Sequence, residues 1–190
     1  MTYKTKALAG AAAFAVLPGL AGTAVAQQSR SMIQERSADA PIQLTLRGGY
    51  GSEATVWADG VSVTADYGSS RYGSVGVSVP LTRDGRLRSE TEVGLVDVDT
   101  DLGSGNGYAA YTSLRLELPL TDRFAPYAAA GIGVAGDEED AAFAWTARLG
   151  GAFRVTDRAS VEAGYRLNAV KEDELTLGLH NVELGLSVGF

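Results

Sequence analysis

The sequence predicts an all-β fold, an eight-stranded antiparallel up-and-down β-barrel that crosses a membrane. Apolar and polar residues alternate with a period of two over most of residues 41–190, which is typical of β-strands with one apolar face. Short polar turns of similar sequence recur between the alternating segments. The charged residues of those segments gather on one face and leave the other face uncharged.

The N-terminal segment has the composition of a secretory signal peptide. Two lysines precede a short run rich in alanine and leucine, and a small-x-small motif ends at Ala26, directly before Gln27. Such a run is short for a membrane-spanning helix. We expect residues 1–26 to be removed by cleavage between Ala26 and Gln27. The polar residues 27–40 then form a flexible lead-in on the periplasmic side.

The composition excludes several classes of protein. The 190 residues have a formal net charge of −7, and removal of the predicted signal peptide with its two lysines leaves 164 residues with a charge of −9. This acidity argues against a nucleic acid partner. The absence of cysteine excludes disulfides and zinc–thiolate sites. No later segment has the roughly 20 consecutive apolar residues of a transmembrane helix, so any membrane crossing must use strands.

Three short polar turns mark one end of the predicted barrel. They read LTRDGR, LTDRF and VTDRA, at residues 81–86, 120–124 and 155–159, and each contains an aspartate that can hydrogen-bond its own backbone. The other connections are acidic and variable in length, and they mark the opposite end. The predicted strands span approximately residues 41–58, 61–82, 86–98, 107–121, 124–135, 142–156, 159–170 and 176–190.

The first hairpin is predicted to be one long pair of strands joined by Asp59 and Gly60. Apolar residues occupy even positions over residues 42–58 and odd positions over residues 61–81. A two-residue Asp-Gly turn keeps residues 58 and 61 on the same face and is favoured in hairpins. Strands longer than the roughly 9–11 residues needed to cross a bilayer should project beyond it.

The polar face of the predicted barrel carries long charged side chains separated by glycines. Small residues leave room in which arginines and glutamates can pair inside a narrow lumen. A packed core of ion pairs is therefore the favoured interpretation, and an ion path along the same residues is the alternative. The residues predicted to form the lumen pairs are Arg88, Glu90, Glu92, Arg115, Glu117, Arg148, Glu162, Arg166 and Glu183.

The opposite face is apolar and carries aromatic residues near both edges. Two aromatic belts around an apolar band are typical of a barrel that faces lipid. A soluble barrel of the lipocalin type, with its apolar face inside, is the alternative, but an apolar pocket has no need of such belts. The belt residues are Phe124, Phe153 and Phe190 toward the short turns, and Tyr67, Tyr108, Phe143 and Trp145 toward the acidic connections.

The last predicted strand alternates up to the terminal Phe190. Lipid offers no hydrogen-bond partner to a free strand edge, so a sheet in a membrane must close on itself. We therefore expect the last strand to pair with the first, near residues 42–50. Phe190 is then expected at the lipid interface.

Three segments resemble the small outer membrane β-barrels of the opacity-protein and OmpA type. They are APYAAAGIGVA at residues 125–135, VEAGYRL at residues 161–167 and NVELGLSVGF at residues 181–190. The resemblance covers about residues 41–190 and depends on the order and spacing of these motifs. It implies an eight-stranded barrel with periplasmic termini in the outer membrane of a Gram-negative bacterium, in contact with lipid and lipopolysaccharide. It also implies export by the secretion machinery and insertion by the barrel-assembly machinery, which reads a C-terminal aromatic strand ending here in Phe190.

Two features could carry chemistry. His180 is predicted to face outward near the acidic end, and a lipid-A-modifying enzyme would need it beside a serine or carboxylate and an oxyanion stabiliser. The neighbouring Thr176 and Asn181 do not form that arrangement. The acidic residues 137–140 and 172–174 could bind a divalent cation, but they lack the spacing of an EF-hand loop and are interpreted as solvated. No catalytic residue, metal ligand or cofactor is predicted.

A structural or surface-interaction role follows from these observations. The chain is expected to be an integral outer membrane barrel that presents acidic strand tips and loops to the outside. The sequence does not identify an extracellular ligand. A small pore is the alternative, and a lipid-A-modifying enzyme is less favoured.

Overall fold

The computed structural model of the protein describes residues 41–58, 60–100, 103–137, 140–172 and 174–190. The predicted signal peptide, with its cleavage site at Ala26 and Gln27, and the predicted lead-in lie outside the described residues. Among the residues that are described, there is no helix long and apolar enough to span a membrane.

Eight antiparallel strands form a closed barrel in which each strand pairs with its neighbours in sequence. This confirms the predicted fold class and the number of strands. The strand bounds agree with the predicted ones to within a few residues. The strands are β1 (Gln43–Ala58), β2 (Val61–Pro80), β3 (Leu87–Thr100), β4 (Gly103–Glu117), β5 (Phe124–Gly136), β6 (Ala141–Arg154), β7 (Ala159–Glu172) and β8 (Leu175–Gly189).

The barrel closes through β1 and β8, as predicted. Their pairing runs from Gln43 opposite Gly189 to Ala58 opposite Leu175. Beyond the last strand, the backbone N–H of Phe190 donates to the carbonyl of Ile42 at 3.0 Å. The final strand is therefore paired with β1 near both of its ends, and Phe190, which follows it, is tied to the residue that precedes β1.

A threonine in each short turn holds the backbone of that turn. The hydroxyl oxygens of Thr82, Thr121 and Thr156 accept the N–H of Leu87, Phe124 and Ala159 at 3.0–3.1 Å. The predicted aspartate contribution is present in the first turn, where Asp84 accepts the N–H of Arg86 at 3.2 Å. Hydrogen bonds from the Thr82 hydroxyl and this N–H lower the pKa of the Asp84 carboxyl below its ordinary value.

The connections at the acidic end are short because the strands extend further than the sequence indicates. In the first hairpin Ala58 pairs with Val61, as predicted, and Gly60 has a φ of 79°, which glycine adopts without strain. β4 begins at Gly103, four residues before the predicted start. The glycine-rich residues 103–106 have low strand propensity, but their backbone pairs with β3 up to Thr100 opposite Gly103. Tertiary pairing here outweighs local propensity.

The first hairpin does not keep one apolar face along its length, so that part of the prediction was wrong. The register of β1 shifts between Gly51 and Glu53 against β2, and between Tyr50 and Glu53 against β8. On β2, Gly68 interrupts the strand with a φ of 120°. A bulge reverses which face the following side chains occupy. Between these points and the turn of the hairpin, the even positions of β1 and the odd positions of β2 therefore face the barrel axis.

Glycines on the lumen side make room for a tyrosine ring. A Cβ added to Gly164 would lie 2.8 Å from the Tyr127 hydroxyl, and a Cβ added to Gly150 would lie 2.7 Å from the same side chain. Both glycines belong to strands β6 and β7, while Tyr127 reaches them from β5. These two positions must stay small for the ring to enter the lumen.

Overpacking at Gly164 is expected to destabilise the barrel. Replacing Gly164 by valine should lower the free energy of unfolding by about 1–3 kcal/mol, because the added side chain meets both the Tyr127 hydroxyl and the backbone carbonyl oxygen of Leu149. The measurement is the chemical-denaturation midpoint in detergent micelles, followed by tryptophan fluorescence. Gly73→Val is the control, since no atom lies within 4 Å of a Cβ at Gly73. Equal midpoints for the two variants would contradict the close packing of Tyr127.

Candidate functional site: the charged lumen

The barrel interior contains a layer of buried arginines and glutamates. They come from β1, β3, β4, β6, β7 and β8, whose strands alternate so that these side chains point toward the barrel axis. Each is at most 5% exposed. The inner layer consists of Arg47, Glu90, Glu92, Arg115, Arg148, Glu162, Arg166 and Glu183.

Two arginines and two glutamates form the part of the layer nearest the short turns. Arg47 donates to Glu90 at 3.1 Å and to Glu162 at 3.2 Å. Arg115 donates to the two carboxylate oxygens of Glu162 at 2.8 and 2.9 Å, and to Glu90 at 3.2 Å. Each carboxylate is thus held by two arginines from different strands. Removing one arginine would leave the other charges incompletely neutralised.

The other part of the layer centres on Glu92. It accepts hydrogen bonds from Arg166, one of them at 2.8 Å, and from Arg47 at 2.8 Å. Arg166 also donates to Glu183 at 2.9 Å, and Arg148 pairs with Glu90. Because Arg47 and Arg148 contact glutamates of both parts, the eight residues form one connected network.

Two tyrosines complete the lumen packing. The hydroxyls of Tyr72 and Tyr127 both donate to the carboxylate of Glu183, the latter at 3.1 Å. The Arg115 guanidinium lies 3.9 Å from the centre of the Tyr127 ring, and that of Arg166 lies 4.8 Å from the centre of the Tyr72 ring. These are cation–π distances. The two rings therefore pack against guanidinium groups of the network.

The network balances four arginines against four glutamates. Removing such charges from water is costly, and the cost is offset only when each charge has close partners of opposite sign and good hydrogen-bond geometry. The described contacts supply the oppositely charged partners, while Arg47, Arg115 and Arg148 each keep at least one buried guanidinium nitrogen without a hydrogen-bond partner. In this layer, paired side chains from different strands extend across the lumen.

Arg88 and Glu117 lie toward the short-turn end rather than within this layer. Arg88 donates to the Ser78 hydroxyl at 2.6 Å and to the Pro41 carbonyl at 2.7 Å. Glu117 lies 2.8 Å from Arg115, and its side chain is 19% exposed. Among the ion pairs of the described residues, Arg88 has none with a glutamate. The structure therefore brings eight of the nine predicted residues into ion pairs and places Arg88 against Ser78 and the start of β1.

Arg47 is the lumen residue that sequence reasoning missed. It contacts three glutamates of the inner layer, Glu90, Glu92 and Glu162. Between the start of β1 and the bulge near Gly51, most even positions are apolar. An odd-numbered arginine in that part of the strand therefore belongs to the lumen face. This period-two signal was available in the sequence.

His180 lies on the outer wall, bonded to neighbouring strands. Its Nε2 lies 2.7 Å from the Thr55 hydroxyl on β1, and its Nδ1 bonds the Tyr165 hydroxyl on β7. Thr55 is itself 2.6 Å from the Thr64 hydroxyl on β2. The histidine thus joins the two strands that flank β8, across the seam where the barrel closes.

Between His180 and the short turns, the outer wall of the barrel is apolar and exposed. Phe124 pairs across the sheet with Phe153, and Phe190 is 76% exposed, so these aromatics lie on the outside toward the short turns. The outer face also carries several aliphatic side chains that are more than half exposed. They include Leu46, Leu95, Leu114, Ile132, Leu149, Val182 and Leu184.

Tryptophans lie on the outer wall toward the acidic end. Trp57 and Trp145 have ring centroids 6.3 Å apart. Trp57 faces outward because of the bulge in β1, which the sequence analysis did not foresee. Phe143 is 51% exposed. The side chain of Tyr67, predicted for the same belt, lies outside the described residues.

The acidic end carries exposed carboxylates on several hairpins. In the described part of the chain, no group of three or more His, Cys, Asp or Glu residues could hold a metal ion. Residues 138, 139 and 173, which belong to the acidic stretches considered as cation ligands, lie outside the described residues. The exposed carboxylates are Glu53, Asp66, Asp97, Asp99, Asp140 and Glu174.

An apolar outer band, a charged interior and a closed sheet are the arrangement of a transmembrane β-barrel. The family model described as "Outer membrane protein beta-barrel domain" matches residues 11–190. The chain belongs to this family. As a member of the outer membrane β-barrel family, it resides in the outer membrane of a Gram-negative bacterium, where its apolar band contacts lipid.

Solved structures of outer membrane barrels are similar to this chain. Neisserial surface protein A (NspA) aligns with a TM-score of 0.60 and 13% identity, over 78% of this chain and 97% of that one. The N-terminal barrel of Pseudomonas aeruginosa OprF gives a TM-score of 0.49 at 12% identity, over 77% and 97%. Ail of Yersinia pestis gives 0.45 at 10% identity, over 78% and 99%. No protein with a curated description matches the sequence. At such identities, the likeness to NspA shows a shared fold.

Loss of one network arginine is expected to destabilise the barrel strongly. Arg115→Ala should lower the free energy of unfolding by about 3–5 kcal/mol, because it leaves buried carboxylates without a partner. Denaturation in detergent, with the midpoint and slope fitted together, measures the change.

Arg86→Ala is the matched control, since Arg86 pairs with Asp84 in an exposed turn and such pairs contribute little. The control should keep a midpoint close to that of the unmodified protein. An Arg115→Ala midpoint equal to that of the control would show that the buried pairs are not needed for stability.

Proposed function

We propose that this outer membrane barrel has a structural or surface-interaction role, with a lumen closed by paired charges and with acidic strand tips presented outside the cell. The observation that supports it best is the connected network of eight buried arginines and glutamates across the lumen. A side-chain core of this kind fills the interior of a narrow barrel. Function then resides on the exposed surface at the acidic end.

The orientation of the barrel in the membrane supports this role. In our proposal the short turns and both chain ends face the periplasm, and the acidic hairpins face outward. The hairpins project above the apolar band because strands such as β2, with 20 residues, exceed the roughly 9–11 residues that cross a bilayer. NspA, which has a similar fold, is described as a surface protein. Exposed hairpins on a rigid scaffold are typical sites of recognition.

Biogenesis in the proposal follows the usual route of exported barrels. The signal peptide, residues 1–26, directs export through the secretion machinery and is removed between Ala26 and Gln27. Residues 27–40 remain as a periplasmic lead-in. The barrel-assembly machinery then recognises β8 together with Phe190, which follows β8 and is exposed at the edge of the apolar band. Lipid and lipopolysaccharide surround the inserted barrel.

Catalysis is not part of the proposed function. Both ring nitrogens of His180 have partners, Tyr165 and Thr55. The Thr55 side chain is buried at 4% exposure and shares its hydroxyl with Thr64. A catalytic base is itself hydrogen-bonded to its nucleophile, but the nucleophile must also be accessible to substrate, and the buried Thr55 is not. The polar cluster instead joins strands at the closing seam.

A closed lumen predicts that the protein does not conduct ions. The purified barrel in a planar lipid bilayer should give no single-channel steps, because the paired side chains occupy the path. The double variant Arg115→Ser with Glu162→Ser keeps the net charge and removes bulk from the network, so it should give measurable steps. Steps of equal size for both proteins would favour the pore and overturn the closed lumen.

Processing of the N-terminus provides a separate test. Expression in a Gram-negative host should yield membrane-fraction protein whose intact mass corresponds to a chain beginning at Gln27. Ala26→Leu should retain the precursor, because the cleavage site requires a small residue. Ser29→Leu, beyond the site, should be processed normally. A mature mass that includes residues 1–26 would contradict the assignment of a signal peptide.

A further inference from the structure

The first eight residues of β2, residues 61–68, have a free backbone edge. β2 pairs with β3 only from Ser69 to Pro80, whereas its pairing with β1 continues to Val61 opposite Ala58. Among the described residues, the segment 61–68 therefore has no strand on its β3 side. The unpaired N–H and C=O groups of such an edge can pair with another extended chain.

The face of this segment that points toward the barrel axis is apolar. Val61 and Val63 are 64% and 60% exposed. Val63 lies opposite Val56, and Val56 lies opposite Leu177 of β8, so these side chains share one face. Leu177 belongs to that face with Glu183, because β8 alternates without interruption between them. A continuous apolar surface therefore extends over β2, β1 and β8 above the charged lumen.

The other face of the segment is polar and carries one carboxylate, Asp66, together with Ser62 and Thr64. Asp66 lies directly opposite Glu53 of β1, and both are exposed. Within the described part of the chain neither forms an ion pair with a basic side chain. Like charges directly opposite each other on neighbouring strands are destabilising. A cationic group placed beside Asp66 would relieve this repulsion.

We propose that the free edge at residues 61–68 binds an extended cationic peptide segment by strand addition. The segment pairs its backbone with β2, as in other complexes formed by β-augmentation. Because side chains alternate across a strand, it places apolar side chains beside Val61 and Val63 and lysines or arginines beside Asp66. The partner is thus a polypeptide in which apolar and basic residues alternate. This inference rests on the proposed function, which places the acidic end outside the cell.

The test uses the folded barrel in nanodiscs of zwitterionic phosphatidylcholine, which has no net charge to attract a cationic peptide. The probe is a fluorescein-labelled peptide of eight residues in which valine and lysine alternate. The matched control peptide has the same composition, with four valines followed by four lysines. The alternating peptide should bind at least about tenfold more tightly, because only its pattern matches both faces of β2. Hydrogen exchange should show new protection of alternate amides within residues 61–68.

Three variants locate the site. Val61→Lys combined with Val63→Lys should weaken binding of the alternating peptide by at least about tenfold, because it removes the apolar face. Asp66→Asn should weaken binding by about threefold and reduce its salt dependence. Asp140→Asn, on the hairpin of β5 and β6, removes the same charge elsewhere and should leave affinity unchanged. Heat-modifiable migration on a gel verifies that each variant is folded.

Several outcomes would overturn the proposal. These are undetectable binding of the alternating peptide, equal affinity for the two peptides, new protection outside residues 61–68, or self-association in which a second copy protects the same edge. Each can occur in a folded barrel that gives no conductance steps. Conductance in the planar bilayer, by contrast, would overturn the proposed closed lumen. The two failures are therefore distinguishable.

Discussion

Hydrocarbon cannot hydrogen-bond to a polypeptide backbone, and the whole architecture depends on this constraint. A strand edge in the bilayer must have a partner, so the sheet closes through β1 and β8 from Gln43 to Ala58. Closure at eight strands fixes a narrow interior that side chains can fill. The reversed polarity follows, because lipid surrounds the outside of the barrel. Apolar residues then face out, and charged residues must neutralise one another around the axis.

The buried network illustrates how such an interior tolerates full charges. Glu90 is contacted by arginines from three different strands, Arg47, Arg115 and Arg148. Each pair offsets part of the cost of removing charge from water, and the tyrosine hydroxyls supply further partners to Glu183. The arginine–glutamate contacts alone link six strands across the lumen. In the proposed function, the stability of the barrel and the closure of its lumen have one physical origin, and recognition is left to the hairpins that project beyond the membrane.

The tip of the first hairpin, which projects beyond the membrane in the proposed function, is not surrounded by hydrocarbon. Its backbone therefore does not need a partner strand on every side. Water can satisfy a free edge, so β2 can extend past β3 without a partner there. The bulge near Gly51 and the interruption at Gly68 reverse the two faces at this level. Apolar side chains such as Val63 then point toward the axis, and carboxylates such as Asp66 point outward. Within one pair of strands the chain is adapted first to lipid and then to water.

Much of this protein was predictable from the sequence, because alternation with a period of two is a local property of strand geometry. It determined the number of strands, the apolar outer face and the pairing of the last strand with the first. The partners within the lumen were not predictable, since Arg47 and Glu162 are brought together by strand tilt and register rather than by spacing along the chain. The bulge that turns Trp57 outward and the free edge of residues 61–68 were also decided only in three dimensions. Both depend on where neighbouring strands start and stop pairing, and that information resides in the closed sheet rather than in either strand alone.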